Sequence, residues 1–192
     1  IVPIYMAKEY LNLVALIGCS DDGKGLELGV SSRIAQELKE QLAGKTPLIG
    51  IAPGAAFGPS KRWMPEGFAE AVNRIAAEQK AHFLLLTGPG EESIGDAIKA
   101  KAVPVFLEPE TSESGLSRLK GLIARLDLLI CNDSGPRHIA VAFNRPVICI
   151  MGPTSPRYTD SPYEIGEVVR LSLECSPCQK PVCPLEHHRC MR

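Results

Sequence analysis

Four segments of this chain carry residue types that could do chemistry: two combine glycines, small residues and charge in ways that suit an anion, a third sets glycines at the end of an apolar run, and the fourth concentrates thiols. Residues 51–72 read IAPGAAFGPSKRWMPEGFAEAV. An apolar run is followed by Gly54 and Gly58, then Lys61 and Arg62, then Pro65 where a helical pattern opens. Glycines let backbone N–H groups approach a ligand closely, a helix start carries positive partial charge, and Lys61 or Arg62 adds a full one. The spacing is not a Walker A loop, which needs Gly-Lys-Ser/Thr after four intervening residues. A solvated βα loop would carry the same residues, so this pattern by itself leaves both readings open.

The second segment, ICNDSGPRHIAVAF at 130–143, is sharper. It places Asn132, Asp133, Ser134 and Gly135 between an apolar strand and an apolar helix that contains His138. Asp133 or Ser134 is placed to cap that helix, the N–H groups around Ser134 and Gly135 suit phosphate oxygens, and His138 lies one turn in. The plainer alternative is a structural cap and a half-buried histidine. The third segment, LTGPGEES at 86–93, lacks the last glycine of the dinucleotide fingerprint, and reads as a wall of a ligand crevice. The fourth is Cys175-x2-Cys178-x4-Cys183-x6-Cys190 with His187 and His188 beside it. Such thiols are weak candidates for zinc or an iron–sulfur cluster, with a disulfide or free structural thiols as the other readings. No second C-x2-C pair is present, and Pro177, Pro181 and Pro184 constrain the loop. Cys131 and Cys149 lie in β-like apolar runs, where a free thiol packs as a small hydrophobe.

The elements that must position these residues alternate from residue 47 onward. Strands are expected at Pro47–Ala52, His82–Thr87, Val103–Leu107, Leu126–Cys131 and Pro146–Met151, with a weaker one near Val168–Leu171. Helices are expected at Pro65–Gln79, Glu91–Lys101, Ser114–Arg125 and Gly135–Phe143. Continuous apolar strands separated by amphipathic helices predict an α/β fold, a Rossmann-like doubly wound parallel sheet that binds ligands beyond the carboxyl ends of its strands. Residues 1–46, with helical stretches at Met6–Ile17 and Ser32–Leu42, read as a connecting segment, and the tail 175–192 as an irregular, tied-down loop.

Composition bounds the rest. The 192 residues amount to about one domain. At 45% hydrophobic the chain is not disordered, and 21 Lys+Arg against 22 Asp+Glu give no nucleic-acid footprint. No apolar run approaches the roughly 20 residues of a membrane helix. A cytoplasmic protein is expected, and the Ile1-Val2-Pro3 start reads as a piece of something longer.

Taken together, PGAAFGPSKRWMPEGFAEAV, LLLTGPGEES, NDSGPRHIAVAFNRPVICIMGPTSP and CSPCQKPVCPLEHHRCM resemble the ADP-heptose:lipopolysaccharide heptosyltransferases of glycosyltransferase family 9, over about residues 47–192. The Cys-rich tail is most similar to the heptosyltransferase II branch. The resemblance implies a GT-B fold, two Rossmann-like domains across a cleft, with 47–192 as the nucleotide-sugar domain and 1–46 leading in from an N-terminal domain. It implies that Lys61 contacts the donor phosphates and that Asp133, Ser134, Gly135 and His138 hold the diphosphate. Glu91 and Thr111 fall where the family lines its adenosine pocket. Arg137 stands where relatives carry Met or another neutral residue, which leaves its role open. An inverting transfer from ADP-heptose to the lipopolysaccharide inner core follows, with no cofactor required and with the base, a family aspartate of the N-terminal domain, outside this chain. The place of work would be the cytoplasmic face of the inner membrane. A family 9 transferase for another nucleotide sugar, or a non-catalytic nucleotide- or metal-binding module, are the alternatives.

Overall fold

The computed structural model describes residues 5–159 and 161–192; the first four residues of the segment 1–46, and Asp160, lie outside the described residues. Successive side chains of a strand point to opposite faces, and in the central strands both faces are apolar. Strand β1 (Leu48–Ala52) turns Leu48 and Ala52 to one side and Ile49 and Ile51 to the other. In β2 (His82–Leu85) Leu84 opposes Phe83, in β4 (Leu128–Asn132) Leu129 and Cys131 oppose Ile130, and in β5 (Val147–Ile150) Val147 and Cys149 oppose Ile148 and Ile150. A sheet apolar on both faces must be covered on both. The short β3 (Phe106–Leu107) and the more exposed β6 (Gly166–Val169) form its edges.

All neighbouring pairs are parallel, in the order β3-β2-β1-β4-β5-β6. Helix α1 (Met6–Ala15) buries no residue. Helices α2 (Ser32–Gln41), α5 (Gly115–Ala124) and α6 (Gly135–Ala142) cover one face, and α3 (Pro65–Glu78) and α4 (Glu92–Lys99) the other. Pro65 opens α3 where a missing N–H costs nothing, and Phe68 and Val72, one turn apart, are fully buried. Each such side chain stabilises the fold by about 1.5–3 kcal/mol.

Several expected boundaries shift. The strand expected at 103–107 shrinks to Phe106–Leu107, because Pro104 has no ladder N–H and Val103 and Val105 are 85% and 89% exposed. The sixth strand starts two residues earlier than expected, at Gly166. Helix α2 is part of the core rather than only a connector: Ile34 and Leu38 are fully buried beside Leu122 and Ile123 of α5. Its N-terminus is capped by Ser31 Oγ, which accepts the Ile34 N–H at 3.4 Å.

The chain runs outward from β1 through β2 to β3, then returns across β1 to β4. The switch point, at which open α/β sheets place their ligand crevice, therefore lies between the carboxyl ends of β1 and β4.

Candidate functional site

The loop after β1 is fastened to β4 at both ends by one side chain. Asn132, the last residue of β4, is fully buried; its Nδ2 donates to the Pro53 carbonyl at 2.6 Å and its Oδ1 accepts the Trp63 N–H at 3.1 Å. Within the loop a 3-10 turn, Pro59–Lys61, brings Lys61 across the switch point. The Lys61 ammonium donates to Asp133 Oδ2 at 2.6 Å and to the Asp133 carbonyl at 3.2 Å, and lies 5.0 Å from the centre of the Phe57 ring. An ammonium has three hydrogens, and the third has no protein acceptor among the described residues.

Asp133 is a hub. Its Oδ2 also accepts from Thr154 Oγ1 at 2.8 Å, and its Oδ1 accepts from Arg137 Nη1 at 3.2 Å. Arg137 has no exposed surface. Its Nε donates to Glu164 Oε2 at 2.9 Å, its Nη2 to Glu164 Oε1 at 3.1 Å, and its Nη1 also to Thr159 Oγ1 at 3.0 Å. Charges thus alternate along Lys61, Asp133, Arg137 and Glu164. Burial would raise the Asp133 carboxyl, but the Lys61 ammonium, Thr154 and Arg137 outweigh it and hold the group below the ordinary carboxylate range. Arg137 is held in its charged form despite burial. Burial first, then the Arg137 charge, lowers His138, so its imidazole is neutral at pH 7.

The structure corrects the role of cap. Asp133 spends both oxygens on Lys61, Thr154 and Arg137, while Ser134 occupies the N-cap of α6 without a side-chain bond; its hydroxyl donates to the Asn132 carbonyl at 3.4 Å. No side chain caps α6, and Gly135 at its first turn is exposed, so the positive helix end faces the crevice. Of the basic pair, Lys61 turns inward and Arg62 turns back to the Ala55 carbonyl at 3.3 Å.

Glu91 lies over the same loop from the β2 side. Its Oε2 accepts the Gly88 N–H at 2.8 Å, and a Cβ on Gly54 would meet that carboxylate at 2.0 Å, so only glycine lets the two approach. Thr111 follows β3, and its hydroxyl is spent on the Glu113 carbonyl at 2.6 Å; nothing joins it to the Lys61–Asp133 group among the described residues.

The tail is strapped to the loops after β1 and β5. The Ser60 N–H donates to the Pro181 carbonyl at 3.1 Å and Ser60 Oγ to the Lys180 carbonyl at 2.6 Å, while Ser176 Oγ donates to the Gly152 carbonyl at 2.6 Å. All seven cysteines are free. Cys175, Cys178, Cys183 and Cys190 line one small cavity together with His187 and His188, although among the described residues no three His, Cys, Asp or Glu side chains are placed to hold a metal ion. The backbone N–H of His188, joined by those of Leu185, His187 and Glu186, lowers the Cys183 thiol, whereas burial raises that of Cys190.

The sequence placed Asn132 in the candidate loop without a role, and gave no signal for Thr154 or Glu164. Glu164 stands 27 positions from Arg137, and local spacing reveals neither the burial of the arginine nor its partner.

The arrangement is one fixed cation, an uncapped helix N-terminus and a neutral imidazole around one crevice, a set suited to phosphate oxygens. The family model described as glycosyltransferase family 9 (heptosyltransferase) matches residues 6–189. The lipooligosaccharide heptosyltransferase 2 of Campylobacter jejuni is 34% identical over 151 residues, 76% of this chain and 46% of that protein. The lipopolysaccharide heptosyltransferase 2 of Escherichia coli is 32% identical over 132 residues, 68% of this chain and 38% of its own. The chain thus spans under half the length of these relatives. Among solved structures, the ADP-heptose lps heptosyltransferase II of E. coli superposes with a TM-score of 0.62 at 31% identity, covering 76% of this chain and 45% of that one. A family 9 glycosyl transferase from Veillonella parvula superposes at 0.74 with 24% identity over 86% of this chain and 49% of its own, a likeness of fold. The parallel sheet with its flanking helices is therefore a GT-B-like α/β fold, and the chain belongs to glycosyltransferase family 9, the heptosyltransferases.

Proposed function

We propose that this chain is the donor-binding half of an inverting heptosyltransferase that moves heptose from ADP-heptose to the lipopolysaccharide inner core. The observation that carries the reading is the Lys61 ammonium held 2.6 Å from Asp133 at the switch point, with its third hydrogen directed to no protein acceptor among the described residues. Residues 47–192 form the donor domain with the Cys-rich tail 175–192, α2 of the segment 1–46 packs into its core, and the residues before α2 lead in from an N-terminal domain. In the transfer, an acceptor hydroxyl attacks the anomeric carbon from the face opposite ADP. The bond from that carbon to the β-phosphate oxygen breaks, its electron pair leaves with ADP, and a base takes the hydroxyl proton.

Lys61, the N–H groups at Ser134 and Gly135, and the neutral His138 would meet the charge that grows on the leaving diphosphate. Such donors provide that stabilisation without a cofactor. Asp133 is a poor base, being held ionised by two cations and spent in hydrogen bonds; the base is assigned to the N-terminal domain. Glu91, across the β1 loop, and Thr111, farther out on the β3 side, are assigned to the adenosine end. No helix of the described residues is long and apolar enough to cross a membrane, and the acceptor would be met at the cytoplasmic face of the inner membrane.

Calorimetric titration with ADP, and with UDP and NAD as controls, tests the reading. Selective ADP binding unchanged by a chelator is expected, with a large loss in Lys61→Ala; unchanged affinity in that variant would overturn the phosphate role.

A further inference from the structure

Arg137 is an expensive way to fill its place. It lies in the first turn of α6, whose Ala140 and Val141 are core residues, and none of its surface is exposed. Removing a guanidinium from water costs several kcal/mol, and an apolar side chain of similar volume would pack there without that cost. The contacts show what the charge does instead. Nε and Nη2 are taken up by the two oxygens of Glu164, which makes the side chain a rigid fork. The remaining Nη1 points at Asp133 Oδ1, on the side of that carboxylate away from Lys61. Asp133 is therefore gripped through Oδ1 by Arg137 and through Oδ2 by Thr154, and it cannot swing outward with Lys61. Arg137 also shares the Asp133 charge, so the Lys61 ammonium is not fully neutralised by its partner.

We infer that Arg137, held by Glu164, is a positioning residue for the diphosphate end of the donor, clamping Asp133 so that the Lys61 ammonium stays aimed into the crevice. This rests on the nucleotide-sugar reading above. It concerns a residue that touches no substrate and acts only through Asp133 and Lys61.

The test uses the 192-residue chain with ADP and AMP, which share adenosine and differ by the terminal phosphate. Thermal melts of each variant establish that it is folded. In R137M/E164Q, where both buried charges are removed together, ADP affinity is expected to fall about tenfold, as for coupled neighbours, and AMP affinity by less than about twofold. Unchanged ADP affinity in the folded double variant overturns the inference. Equal losses for ADP and AMP also overturn it, since they would mark a merely structural role. If the double variant does not fold, R137K carries the test: lysine keeps the charge but cannot serve Glu164 and Asp133 as a fork. There a loss of about threefold for ADP with AMP unchanged is expected, and an unchanged ADP:AMP ratio overturns the inference. A wild-type chain that binds no ADP would instead refute the donor-binding reading, and the inference with it. Wild-type binding lost in Lys61→Ala but kept in both Arg137 variants sinks the inference alone.

Discussion

The switch-point loops and the cysteine-rich tail both carry reactive side chains in close company, yet the fold treats them differently. Lys61 and Asp133 are 72 positions apart and meet at 2.6 Å, because two central strands end side by side and Asn132 pins one loop to the other. The four tail cysteines, within sixteen residues of one another, gather with His187 and His188 around one small cavity, where the Cys175 thiol and the His187 ring lie 3.9 Å apart and no three groups stand at metal-binding distances among the described residues. The tail instead buttresses the loop that carries Lys61, through Ser60 and the carbonyls of Lys180 and Pro181.

The sharpest way to break this comparison is to remove the hub. Asp133→Ala strands Lys61 and the fully buried Arg137 without their shared counter-charge, and is expected to cost about 3–5 kcal/mol in urea unfolding. A loss under about 1 kcal/mol would mean the quartet is no more than a surface ion pair. Next in size is Gly58→Ala. Gly58 has φ near +153°, and a Cβ there would lie 2.3 Å from the Pro181 carbonyl, so the tail must lift or the loop must move. A destabilisation of about 1–3 kcal/mol is expected, with faster proteolysis of the tail than of the sheet. Equal protease resistance in variant and wild type would show that the strap does not depend on this contact.

A pH series sharpens the electrostatic side. Asp133 and His138 both have lowered values in the folded chain, so unfolding takes up protons as the medium acidifies. The His138 contribution is fully present above its ordinary value of 6.5 and is lost as pH falls through the lowered folded value. The Asp133 contribution is present above 3.8 and disappears at still lower pH. Stability should therefore decline in two stages on acidification, and His138→Gln should abolish the first. Smallest of all is the expected effect of Cys190→Ser or of a chelator on the melting temperature, under about 1 kcal/mol or its thermal equivalent. A large drop with a chelator would give the tail a metal and place it beside the switch point as a second built site.

Much of the fold was legible in the residues. Continuous apolar runs placed the four central strands close to where they are observed, and Phe68, Val72, Leu122 and Ile123 gave two crossover helices their buried faces. The edges were less legible: Pro104 and the exposed Val103 and Val105 show that β-forming residues make a strand only where a neighbour is there to pair. The loops that hold the site were found from glycine, charge and helix-start signals, which act over a few residues.

What the sequence by itself determined is therefore local: strands, helices, and which loops could offer N–H groups and a cation to an anion. Which cation faces the crevice was decided by tertiary structure, because Lys61 and Arg62 are equivalent in sequence and only the 3-10 turn and the position of Asp133 separate them. The same holds for Asp133, a cap by spacing and a counter-ion in the folded chain, since Lys61 and Thr154 reach it from elsewhere in the fold. Charge interactions fall with distance in space and are indifferent to separation along the chain, so only the folded arrangement could assign them.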